Sequence, residues 1–155
     1  YESVQKFPER TFGFAVVNPW DINGEEQLEK CFRDYHFYGL KMNAIRFGYS
    51  ADRHSLLSPY FELCRAYGKC VVVHGQSDMF SIPDKWAQMA RSFPDVPVVL
   101  YHMGVPLMYE RAMELAKEIL RLLKFRSEQE LAEWYAWNKF GLYSPGHKGR
   151  TPSGL

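Results

Sequence analysis

The sequence lacks most of the features that announce a compartment or a cofactor. It has only three cysteines, Cys31, Cys64 and Cys70. Their number is odd and no pair stands at Cys-x-x-Cys spacing, which argues against a disulfide framework and a zinc-thiolate cluster. Reduced thiols of a cytoplasmic protein are expected instead. No apolar run approaches the roughly 20 residues that a membrane-spanning helix needs. The opening segment YESVQKFPER has no apolar core of the kind a secretory signal requires. Charge of one sign is also missing: 19 basic residues face 18 acidic ones, for a net charge of +1. Neither a nucleic acid nor an anionic membrane is therefore an expected partner. No glycine-rich phosphate loop occurs, and no serine sits in a nucleophile-elbow pattern.

What the chain does have is a repeated strand-and-helix rhythm. Its 155 residues, 46% of them hydrophobic and 16% aromatic, suit one globular domain with a sizeable core. Four apolar, β-rich runs follow one another: FGFAVVNP (Phe12–Pro19), GLKMNAIRF (Gly39–Phe47), CVVVHG (Cys70–Gly75) and PVVLYHMG (Pro97–Gly104). Their centres recur about every 30 residues, the length of a strand-helix-strand unit. Helical patterns lie between and after them, at Gly24–Tyr35, Ser55–Gly68, Pro83–Phe93 and Leu107–Lys124. The first has acidic residues in its opening turn, and the third begins with proline at a favoured position.

Alternation of this kind predicts an α/β fold with a parallel sheet. The unbroken apolar character of the third and fourth runs predicts strands covered on both faces. Four consecutive βα units amount to half of a TIM-like (β/α)8 barrel; a small flavodoxin-like sheet satisfies the same rhythm. Further on, SEQE (Ser127–Glu130) is a capping box for a helix running through Trp137, and NKFGL (Asn138–Leu142) closes it. The domain is thus expected over residues 1–142. The remainder, 143–155, is rich in Gly, Pro and Ser and reads as a flexible tail.

Two histidines carry the strongest chemical signal. His74 and His102 each end a β-rich run and precede a glycine, one strand-helix unit apart. Imidazoles at the carboxyl ends of adjacent parallel strands converge on one mouth, where such folds place metal ions and catalytic bases. A lone strand-end histidine is ordinarily structural; two at matching positions are harder to dismiss. His36, His54 and His147 have no partner at ligand spacing and read as cap or surface residues. Trp86, Trp134 and Trp137 read as helix packing, and Tyr101 is expected to alternate away from His102 and pack against a helix.

The run from about Phe12 to Met113 resembles the amidohydrolase superfamily, in its aminocarboxymuconate-semialdehyde decarboxylase-like branch. The resemblance rests on the VNP turn (Val17–Pro19), the GLK strand (Gly39–Lys41), AYGKCVVVHG (Ala66–Gly75) and above all ARSFPDVPVVLYHMG (Ala90–Gly104). It implies a (β/α)8 barrel holding one divalent metal, zinc, and a hydrolase or a non-oxidative decarboxylase, a lyase, acting on a small carboxylic acid or amide. The four strands would be the third to sixth of eight. His74 would match the metal ligand on the fifth strand, and His102 the sixth-strand histidine that acts on water or substrate. The family's first strand supplies a His-x-His pair and its eighth an aspartate. This chain has no such pair, and its six aspartates fall in or near expected loops or helix ends. The missing ligands would come from residues of a longer protein, from a homo-oligomer or from a complementing polypeptide. Otherwise the chain would be a catalytically degenerate barrel fragment serving as a structural or interaction module.

Other residues take expectations of lesser weight. Arg46, toward the end of the second run, could reach an acidic substrate, and Asn43 is a weaker candidate of the same kind. Trp20, after the VNP turn, could contact substrate. Gln76, with Ser77 and Asp78, follows His74 and could line the mouth. Lys41, early in its strand, suits a structural or a carboxylate-binding role equally.

Overall fold

From Phe12 to Pro19 every second residue is buried: Gly13, Ala15, Val17 and Pro19 point inward while Phe12, Phe14, Val16 and Asn18 are exposed. This period of two is the mark of an extended strand with one face against a core. The computed structural model describes residues 1–122. In order they form α1 (Glu2–Lys6), β1 (Phe14–Ala15), α2 (Gly24–Arg33), β2 (Gly39–Met42), α3 (Ala44–Phe47), α4 (His54–Ala66), β3 (Cys70–His74), α5 (Pro83–Ser92), β4 (Val98–Tyr101) and α6 (Tyr109–Leu122). The expected helix at 127–137, the closing NKFGL segment and the tail at 143–155 lie outside the described residues, as do His147, Trp134 and Trp137.

The four strands pair in parallel in the order β1-β2-β3-β4. A flavodoxin-like sheet would place its second strand outside its first. Sequential order with helical crossovers is instead the order of barrel strands. The described part of the chain is therefore four consecutive βα units of a TIM-like (β/α)8 barrel.

The helices pack on one face of the sheet. Leu40, Met42, Val71 and Val73 meet Leu28 and Phe32 of α2, Leu57, Phe61 and Cys64 of α4, and Trp86 and Met89 of α5 in a single core. The opposite face corresponds to a barrel interior. Among the described residues it is not fully covered, for Phe14 is 37%, Val16 53% and Tyr101 53% exposed. The expectation that both faces are covered holds here for the helix side only. Apolar strand residues on the other side are those that a closed barrel would pack against its opposing strands.

The structure departs from the sequence expectation in places; the first strand, for example, is limited to Phe14–Ala15. The second strand ends at Met42 rather than Phe47, because the Asn43 side chain accepts a hydrogen bond from the Arg46 amide at 3.0 Å and caps the short helix α3. Asparagine competes with strand pairing in this way wherever its carbonyl can reach a nearby amide. The short helix α1 carries no apolar pattern that foretold it. Between α5 and α6, Arg111 pairs with Asp84 at 2.7 Å and Arg91 with Glu118 at 2.9 Å. All three cysteines are free thiols, and burial pushes the Cys64 thiol up to about 12, which leaves it unreactive. No described helix is long and apolar enough to cross a membrane.

Candidate functional site

His74 is the last residue of β3, and its backbone is held from two sides. The Trp86 indole Nε1–H, buried on α5, donates to the His74 carbonyl at 2.8 Å. The following residue, Gly75, donates to the Tyr101 carbonyl at 2.9 Å and accepts from the Gly104 amide at 2.9 Å. A side chain at position 75 would run into Leu100, so only glycine allows this close approach of the two strand ends.

His102 lies one residue past β4, in a turn where His102, Met103 and Gly104 all have positive φ, at 72°, 52° and 76°. That backbone decides where its imidazole goes. Tyr101 is in register with His74 and so shares its face of the sheet. Continued alternation would send the next side chain to the helix side. The left-handed turn reverses the direction, and the rings of His74 and His102 meet edge-on with centroids 4.8 Å apart. Left-handed backbone is unfavourable by about 1–2 kcal/mol at each non-glycine residue, and such strain concentrates at functional turns. The Tyr101 ring lies 3.9 Å from that of His102. The expectation that Tyr101 packs against a helix is therefore corrected: it stands on the interior face beside the two histidines, because His102 has left the strand.

Lys41 joins the same face from β2. It is in register with Val72, two residues before His74, and side chains two apart share a face. Its Nζ is shut off from solvent with no hydrogen-bond partner among the described residues, and it lies 4.8 Å from the Tyr101 ring centroid. Burial draws its pKa down to about 8. His102 is held below the ordinary imidazole value, first by burial and then by the neighbouring His74 and Lys41. Sequence reading gave Lys41 little weight; the signal available was its even spacing to the strand register, which becomes visible only once β2 and β3 are aligned.

The other candidates are placed less centrally. Arg46 is not on a strand but exposed in α3, with its guanidinium 5.6 Å from the ring of its neighbour Phe47. Trp20 donates from Nε1 to the Phe47 carbonyl at 2.8 Å, and its ring lies 4.8 Å from the Arg53 guanidinium. These contacts tie the loop after β1 to α3 at the carboxyl side of the sheet. Gln76 and Ser77 are half-buried just past His74. Asp78 serves the loop itself, accepting from the amides of Phe80 at 2.8 Å and Ser81 at 2.9 Å and from the Ser81 hydroxyl. Burial opposes ionisation of Asp78, yet the Ser81 hydroxyl and these amides outweigh it and hold the carboxyl below its usual range.

A catalytic zinc normally takes three protein ligands. Two imidazoles face each other here, but no group of three or more His, Cys, Asp or Glu side chains gathers anywhere among the described residues. These residues do not by themselves complete a metal centre, and the remaining nitrogen nearby, Lys41 Nζ, is a cation below its pKa. No curated protein and no solved structure matches the chain. The model of one family, described as Amidohydrolase, matches residues 1–139. With parallel βα units in barrel order and paired histidines at the carboxyl ends of neighbouring strands, that match places the chain in the amidohydrolase family.

Proposed function

We propose that this protein works as a metal-dependent hydrolase or non-oxidative decarboxylase of a small carboxylic acid or amide, in the decarboxylase-like branch of its family. The family supports the coarse class, a superfamily of metal-dependent hydrolases and decarboxylases acting on small molecules. The observation that carries the reading is the meeting of His74 and His102 at the ends of β3 and β4.

In this reading His74 is a ligand for a single zinc ion, whose other donors come from outside the described residues, in the same polypeptide, a second copy or a complementing chain. When bound, zinc supplies Lewis acidity toward substrate oxygens. His102 is the catalytic residue that moves a proton. Its burial beside two other nitrogen bases favours the neutral imidazole, the form able to accept one. Trp20, Arg46 and Gln76 line the substrate side of the carboxyl end, and the free thiols suit a cytoplasmic setting. The incomplete donor set among the described residues favours a second reading, a degenerate barrel segment that serves as a structural module.

Native mass spectrometry with zinc analysis separates the two. The catalytic reading expects about one zinc per completed barrel, lost in His74→Ala while the circular dichroism spectrum is kept. Protein that stays metal-free, or a His74→Ala variant with unchanged zinc content, refutes it in favour of the structural module.

A further inference from the structure

We propose that Lys41 is the anion anchor of this site, receiving the carboxylate of a small aromatic or unsaturated acid on the interior face of the sheet beside Tyr101, His74 and His102. The inference deepens the function proposed above and rests on it for the kind of molecule that enters the site.

Three observations converge on this role. The first is placement. The register of β2 against β3 puts Lys41 on the face that carries His74, and the register of β3 against β4 adds Tyr101. The second is an unmet need. Lys41 Nζ is closed off from solvent and has no acceptor among the described residues. A lysine ammonium has three donors and no acceptor capacity, and a buried one ordinarily has a partner. The Tyr101 ring at 4.8 Å offers its electron-rich face but no lone pair for a hydrogen bond.

The third observation is what surrounds the ammonium. The strand positions that share its face are Phe14, Gly39, Cys70, Val72, His74, Val99 and Tyr101; none is acidic, so no internal salt bridge is in place there. A ligand carboxylate that displaces the side chains now closing off Nζ would supply the missing acceptors. Two more nitrogen bases flank the position, His74 and His102. Tyr101 beside it is 53% exposed, and the ring or conjugated chain of a planar acid can pack on an aromatic side chain of this kind. A nonplanar aliphatic cation would meet three nitrogen centres and no carboxylate.

The test uses the full chain stripped of metal with EDTA, so that it does not depend on zinc. Benzoate is titrated by calorimetry, with neutral benzamide as the shape-matched control. The expected result is benzoate binding at least tenfold tighter than benzamide. Lys41→Met should weaken benzoate by about 10- to 100-fold, the worth of one hydrogen bond to a charged group, and leave benzamide unchanged. Lys41→Arg should retain part of the affinity for benzoate. Lys41→Gln, closer to lysine in polarity, replaces Lys41→Met if the latter fails to fold. No benzoate binding by the wild type, equal affinity for benzoate and benzamide, or equal benzoate affinity in wild type and variant each overturns the assignment. Lys41-dependent benzoate binding in a chain that never takes up zinc refutes the metal reading alone; zinc uptake without it refutes the anchor alone.

Discussion

A buried lysine held for a ligand should weaken the empty protein, and the size of that effect follows from the site. Burial lowers the Lys41 pKa from 10.5 to about 8. At 1.36 kcal/mol per pH unit this corresponds to a ceiling of about 3 kcal/mol disfavouring the folded state when the amine is charged. The lysine stem is only half-buried, and solvent screening reduces the expected effect to about 2 kcal/mol.

The sign follows from proton counting. Between about pH 8 and 10.5 the unfolded chain keeps the Lys41 proton and the folded chain has shed it, so wild-type stability rises with pH across that window. Below about 8 both states are protonated and the full penalty applies. Lys41→Met removes the charge at similar length and volume. The variant should therefore be more stable than wild type by about 2 kcal/mol at neutral pH, with the advantage fading toward pH 10.5. Urea unfolding followed by circular dichroism at several pH values from 7 to 10.5 measures both curves. Other lysines, tyrosines and thiols titrate in the same window, but they do so in both proteins, and the difference between the curves isolates Lys41. Curves that stay parallel, or a variant less stable than wild type at neutral pH, would refute the reasoning.

Two further outcomes concern the frame around the histidines. Gly104→Ala should destabilise the fold by about 2 kcal/mol, because φ is 76° there and an added Cβ would lie 2.8 Å from both the Met108 carbonyl oxygen and Pro83 Cγ; urea unfolding gives the loss, and a moved His102 ring resonance shows that the turn has shifted. Trp86→Phe should lower stability by about 2–3 kcal/mol, since it leaves the His74 carbonyl without its indole donor and opens space in the core; an unchanged urea midpoint would show that the indole contact contributes nothing.

Much of the architecture is written in local patterns. Val71–Val73 and Val98–Leu100 are runs of β-branched and apolar residues bounded by turn signals, and both form strands. Pro83 opens α5, and α2 has Glu25 and Glu26 in its first turn, where acidic side chains favour a helix N-terminus. Elsewhere local pattern misleads. Asn43 stops β2 early because its side chain caps α3, which leaves Arg46 on a helix instead of a strand. At Tyr101 the alternation was sound, but it was counted from a histidine that had already left the strand.

The sequence by itself thus determined which segments become strands and helices, that the strands run parallel, and which two histidines end neighbouring strands. These depend on periods of two and about 3.6 residues and on turn chemistry, all set within a few positions of the chain. Only the tertiary structure decided the barrel-like strand order, the return of the His102 ring to the face of His74, and the isolation of the Lys41 ammonium beside Tyr101. Those depend on inter-strand register and on a left-handed turn held by bonds to Gly75 and by packing against α5. The contacts join residues far apart in sequence, and no local pattern encodes them.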